Sequence, residues 1–313
     1  SPLKVWFEPH GPGSGALLRL RLARPKANVI DAAMIAALGQ AFEAHRGNPG
    51  LLAALIDHEG PHFSFGASVE EHLPEHCEAM LRSFHALLVA MLDWPKPILV
   101  SVKGQCLGGG LELALAGSLL FVSPEARLGQ PEIKLGVFAP AASVLLPLRI
   151  AQAHAEDLLY SGRAIGGATA AAWGLANGLG EDPTALALDF FEKNLLDKSA
   201  AALACAVRAV REPFADLARA RLNDVEALYL EKLMVTRDAS EGQMDASAGF
   251  YQQTLKFVGL LATVAVVVMV TRIARKALRQ AEQEQDGIMS AKPRLDPDHE
   301  PTSYEEMMTI DDP

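Results

Sequence analysis

The stretch GQCLGGGLELAL, residues 104–115, places three glycines directly before a good helix and a single carboxylate, Glu112, just inside it. Glycine weakens a helix, so three in a row serve a backbone that must bend sharply or come close to something. Such a turn, feeding a helix N-terminus, presents free backbone N–H groups and the positive end of the helix dipole. A tight turn with close helix packing is one reading. A nucleotide P-loop is set aside, because the Gly-Lys-Ser/Thr ending is missing. Glu112 stands among apolar residues and reads either as a salt-bridged core carboxylate or as a reacting group.

Strands and helices alternate on both sides of this stretch. VWFEP, HGPGSG and LLRLRLA (5–23) read as a hairpin, with Leu18, Leu20 and Leu22 alternating against Arg19 and Arg21 as in a half-exposed strand. Asp31 can cap a helix over 32–45. LLAALID (51–57), ILVSVKG (98–104) and SLLFVS (118–123) read as strands, and CEAMLRSFHALLVAML (77–92) as a helix. This order predicts an α/β fold over residues 1–180 and a helical region over 181–242. FVGLLATVAVVVMV (257–270) then runs without a charge between Lys256 and Arg272. It predicts an apolar helix with a basic flank over 243–279. Beyond Arg279 two cations stand against ten carboxylates, which predicts a disordered acidic tail over 280–313.

The formal charge of −10 argues against non-specific nucleic-acid binding. Three cysteines without paired spacing fit a reducing compartment, and SPLKVWFEPHG shows no basic region followed by an apolar run, so a cytoplasmic location is expected. Cys106 reads as a small buried hydrophobe rather than a nucleophile. His58, His62, His72, His76 and Cys77 crowd one region. Pro74 between His72 and His76 makes surface or lid histidines a better reading than a metal site.

Two further segments belong with the triple glycine. HFSFGAS (62–68) ends in a Gly-Ala turn, and LGQPEIKLG (128–136) carries Glu132 just after a proline. Two N–H groups from separate turns can hold a developing oxyanion, and two nearby carboxylates can divide acid and base work.

With RPKANVID (24–31) and SGRAIGGATAAAWGLAN (161–177), these segments resemble the enoyl-CoA hydratase, or crotonase, superfamily over about residues 1–242. GQPEIKLGVFAPAAS (129–143) and EALYLEKLM (226–234) resemble its branch acting on a cyclic dienoyl-CoA in anaerobic benzoyl-CoA degradation. The resemblance implies a spiral of ββα turns with a helical carboxyl-terminal region, assembled as a homo-trimer or hexamer. It implies an acyl-CoA substrate and no metal or redox cofactor, coenzyme A entering as part of the substrate. The implied oxyanion donors are the Ala67 and Gly109 N–H groups. Glu112 and Glu132 would activate water and deliver a proton. Lys26, Ala27, Asn28, Phe65, Gly66, Ser68, Gly108, Phe138 and Pro140 would flank CoA or the acyl group.

Departures from the pattern carry information. Ser68 stands where many members have Asp, and Phe138-Ala139-Pro140-Ala141-Ala142 replaces a glycine-rich segment, which suits a bulkier or cyclic acyl group. Both glutamates are kept, which favours hydration over isomerisation or thioester hydrolysis. The rivals are another acyl-CoA reaction of the superfamily, or a non-enzymatic module tethered to a membrane through 257–274. That segment has three readings: membrane association, a helix packed within the chain or an oligomer, and a junction foreign to the enzyme.

Overall fold

The computed structural model describes residues 1–9, 16–68, 70–72, 74–236 and 239. Chain order runs β1 (Leu3–Pro9), β2 (Ala16–Leu22), α1 (Ala32–His45), β3 (Leu51–His58), α2 (Pro74–Leu92), β4 (Ile98–Val102), β5 (Gln105–Leu107), α3 (Gly109–Leu115), β6 (Leu119–Val122), β7 (Arg127–Gly129), α4 (Pro140–Leu145), α5 (Gln152–Ser161), β8 (Ala164–Gly166), α6 (Gly167–Ala172), β9 (Gly178–Leu179), α7 (Pro183–Asn194) and α8 (Ala200–Ala227).

The expected hairpin forms, β1 pairing antiparallel with β2. From β2 the main sheet continues in parallel through β3, β4, β6 and β9. Parallel neighbours need crossovers, so each step carries chain over a sheet face. Alternate residues serve opposite faces: Leu55, Leu99 and Phe121 pack with Ala187 and Phe191 of α7, while Ala54, Ile56 and Val100 join the larger core with α1 and α2. Asp31 caps α1 as expected, its carboxylate accepting the Met34 N–H at 2.9 Å. A second, smaller sheet of β5, β7 and β8 carries the turns of interest, since β5 leads into α3 and β7 into the segment holding Glu132.

The half-exposed reading of β2 fails at Arg19, which is buried. Its guanidinium pairs with Glu8 and with Asp57, and it lies 5.1 Å from the Trp6 ring. Arg21 binds the same Asp57 through two bonds of 2.8 and 2.7 Å. A buried carboxylate that neutralises a buried guanidinium is costly to remove, because the charge left behind has no water to replace it. Asp57→Ala is expected to lower stability by about 3–5 kcal/mol. The corresponding fall in melting temperature is roughly 10 °C, read by thermal denaturation.

Beyond the sheets, α7 and α8 form the helical carboxyl-terminal region, and α8 runs into a π-helical turn at Leu228–Leu233. Two arginines, Arg211 buried and Arg149 half-buried, close the end of α3. Arg149 Nη2 donates to Leu115 C=O at 2.7 Å, and Arg211 of α8 donates to Ala116 C=O at 2.6 Å. These are carbonyls at the carboxyl end of α3, where cations are favoured. Burial pushes both guanidiniums down to about 10.

One expectation is corrected. Among the described residues no helix is long and apolar enough to cross a membrane. The longest of them, α8, carries charges along its length, including Arg208, Arg211, Glu212, Asp216 and Arg219. The separate apolar helix over 243–279 is therefore withdrawn, and with it the membrane association through 257–274, the membrane-linked location and the tethered module. The segment itself and the acidic tail lie outside the described residues.

Candidate active site

Two turns meet where β5 hands over to α3. Gly108 caps α3 at φ 52° and ψ −129°, a conformation that L side chains rarely adopt. Its C=O accepts the first helical bond, from Glu112 N–H at 3.0 Å. The planar trans peptide then aims the Gly109 N–H the opposite way, out of the helix N-terminus. In the other turn Gly66, at φ 112°, has its C=O held by Ile30 N–H at 3.0 Å. By the same geometry the Ala67 N–H points away from Ile30. A Cβ on Gly109 would lie 3.1 Å from the Ala67 nitrogen, so the two N–H groups are neighbours. Neither donates to a protein acceptor among the described residues, and both residues line one cavity of about 120 Å³.

The two glutamates face this cavity from different elements. Glu112 is buried on α3, and its Oε1 accepts the Ala142 N–H of α4 at 2.8 Å. No cation pairs with it among the described residues, which removes the salt-bridged core reading. Glu132 follows β7 on a short 3-10 turn, Pro131–Leu135. Its Oε1 would be 2.5 Å from a Cβ on Gly108, so the bare glycine is what lets the carboxylate approach the helix start. Burial pushes Glu112 up to about 7, against the bonds from Ala142 and Ala141 that lower it. Burial, with the Glu112 charge beside it, pushes Glu132 up to about 8. Two coupled carboxyls, both raised, favour keeping a proton on the pair near neutrality, the pair titrating as a unit.

Phe65, Gly66, Gly108, Phe138 and Pro140 also line the cavity. Lys26, Ala27, Asn28 and Ser68 do not. Lys26 is exposed, whereas Asn28 is fully buried at φ 44°. The Asn28 amide donates to Glu59 C=O at 3.1 Å and His62 C=O at 3.0 Å. His58 and His62 likewise serve the backbone, accepting from Lys103 and Gln105 N–H at 3.2 Å each. Burial pushes the Cys106 thiol far up, as suits an inert core residue.

Several contributors escaped the sequence reading. Met80, Leu81 and Phe84 of α2 form one wall, and Tyr229 of the π-helical turn forms another, its ring 5.4 Å from Phe138. Their positions along apolar helices offered only a core signal. Gln130 is buried beside Glu132. With its amide nitrogen facing the carboxylate, it donates to Oε1 and Oε2 at 3.2 and 3.1 Å. Its place two residues before Glu132 in the GQPE segment was the available hint.

A family model described as enoyl-CoA hydratase/isomerase matches residues 13–258. The cyclohexa-1,5-dienecarbonyl-CoA hydratase of Thauera aromatica is 59% identical over 242 residues, 77% of this chain and 92% of that protein. The carnitinyl-CoA dehydratase of Proteus mirabilis (strain HI4320) is 31% identical over 242 residues, 74% of this chain and 91% of that protein. A crystal structure of an enoyl-CoA hydratase/isomerase from Mycobacterium paratuberculosis superposes with a TM-score of 0.70 at 22% identity, covering 78% of this chain and 98% of that one. At that identity the superposition speaks for the fold alone.

Proposed function

From the premise that this chain belongs to the enoyl-CoA hydratase/isomerase family, we infer that it adds water to cyclohexa-1,5-diene-1-carbonyl-CoA to give 6-hydroxycyclohex-1-ene-1-carbonyl-CoA. The observation that carries this reading is a pair of carboxyls, Glu112 buried and Glu132 half-buried and both raised toward neutrality, in the cavity lined by the two unengaged N–H groups. The 59% identity to the Thauera aromatica hydratase supports the ring substrate.

The chemistry follows from where electrons can go. Water attacks ring carbon 2, the carbon β to the thioester. The C1=C2 pair moves onto C1 and the carbonyl oxygen, giving a dienolate that the Ala67 and Gly109 N–H groups hold. Attack on the C5=C6 bond alone would leave the pair where the carbonyl cannot take it up. The dienolate then gains a proton at C5, and the remaining double bond settles between C1 and C6. Counted from the other side of the ring, this is the 6-hydroxy-1-ene product. Glu112, the lower of the two, takes the water proton. Glu132, the higher, gives its proton to carbon. Return of one proton from Glu112 to Glu132 restores the site.

The purified 313-residue chain given the ring dienoyl-CoA is expected to form a product one water heavier. Its kcat/KM should exceed that for crotonyl-CoA by about 100-fold. In D2O the new C–D bond should lie across the ring from the hydroxyl-bearing carbon. Preference for crotonyl-CoA overturns the ring substrate, and no hydrated product from either overturns the hydratase.

A further inference from the structure

We propose that Ser64 is a positioning residue that fixes the distance and direction between the Ala67 and Gly109 N–H groups. The inference rests on the reading of those two groups as the oxyanion donors. Ser64 is fully buried at the point where three segments cross. Its hydroxyl donates to Asn28 C=O at 2.8 Å and accepts the Gly66 N–H at 3.0 Å. Its own backbone reaches the other turn: its N–H donates to Gln105 C=O, and its C=O accepts Leu107 N–H, each at 3.0 Å. It thus pairs across Cys106, in the strand that delivers Gly109. Contact with the helix is equally close, since a Cβ on Gly110 would lie 2.6 Å from the Ser64 Cβ.

These bonds define the peptide that carries the Ala67 N–H. The Gly66–Ala67 peptide is held at its carbonyl by Ile30, and the Ser64 hydroxyl holds the N–H at the other end of Gly66. Those two bonds are what hold Gly66 at φ 112°, because glycine has the widest choice of backbone states and its own side chain fixes nothing. Removing the hydroxyl leaves the Asn28 carbonyl and the Gly66 N–H without their shared partner. Gly66 then keeps only the Ile30 bond at its carbonyl, and the Ala67 N–H gains freedom to swing relative to the Gly109 N–H. Oxyanion donors act only when both meet the place where charge develops, so rate falls while ground-state binding persists.

The test compares wild type, Ser64→Ala and Ser64→Cys, the last keeping volume and a weak donor. Turnover of the ring dienoyl-CoA is measured, together with the thioester C=O stretch of bound, carbonyl-labelled benzoyl-CoA, whose aromatic ring resists hydration. In Ser64→Ala we expect kcat to fall about 30-fold, KM to stay within about twofold, and the C=O band to move toward its value in water. Ser64→Cys should lie between on both readouts, and it serves as the test should the alanine variant not fold. An unshifted band with unchanged kcat in either variant overturns the strut. So does a loss of rate matched by the loss of folded protein with the band unmoved. If wild type itself leaves the C=O band at its value in water, the oxyanion reading fails instead, which separates the two failures.

Discussion

Glu132→Gln and Glu112→Gln are each expected to lower kcat on the ring dienoyl-CoA by about 10³-fold with little change in KM. Glutamine keeps the size of each side chain but can neither take nor give the proton. The pH dependence should separate the roles. In wild type, kcat/KM should rise as Glu112 ionises near pH 7 and fall as Glu132 loses its proton near pH 8, the two limits belonging to the pair. Because the Glu112 charge helps to raise Glu132, the residual activity of Glu112→Gln should lose its alkaline limb at a lower pH than wild type. Stability moves the other way. Both carboxyls are raised on folding, so the folded chain holds protons that the unfolded chain releases. That contribution is complete below the ordinary carboxyl range and is lost as pH rises through about 7 and about 8. Glu132→Gln should therefore match wild type in melting temperature at pH 4, yet exceed it by about 4 °C at pH 9. Wild-type turnover in each variant would remove the acid/base assignment, and a pH dependence of melting parallel to that of wild type would remove the buried-proton account.

The parts of this site visible in sequence are those encoded locally. Three glycines before a helix, a Gly-Ala turn after a strand and a glutamate after a proline each state a backbone requirement in a few residues. The Asp31 cap and the β1–β2 hairpin are of the same kind, and the structure carries both. What the sequence hid depends on partners far along the chain. Arg19 looked solvent-facing because Asp57, which neutralises it, stands 38 residues away. The resemblance set Asn28 beside CoA, and nothing near it in sequence says that its side chain braces the carbonyls of Glu59 and His62. Tyr229 reaches the cavity through a π-helical turn that inserts an extra residue into the helical register, so periodicity placed it in the core without pointing to the acyl group.

Gly108→Ala should come close to the glutamate variants in effect, with kcat lower by about 10³-fold, whereas Gly109→Ala should cost only about 10–100-fold. The two positions adjoin, but they fail for different reasons. At Gly108 a methyl group meets a positive φ that disfavours any L residue, and it would sit 2.5 Å from Glu132 Oε1. The helix start and the proton donor are disturbed together. At Gly109 the backbone is not in that region, and the new Cβ meets the Ala67 nitrogen at 3.1 Å and its Cβ at 3.2 Å. The two turns need part by only a few tenths of an ångström, which loosens the oxyanion pair without moving either carboxylate. The pH–rate profile distinguishes these failures. Gly109→Ala should keep the wild-type limits at lower amplitude, while Gly108→Ala should shift the alkaline limit, because a displaced Glu132 no longer shares burial with Glu112. If both variants lowered the rate equally and left the limits unchanged, the glycines would be serving helix packing alone, and the close approach of Glu132 to Gly108 would have no part in proton delivery.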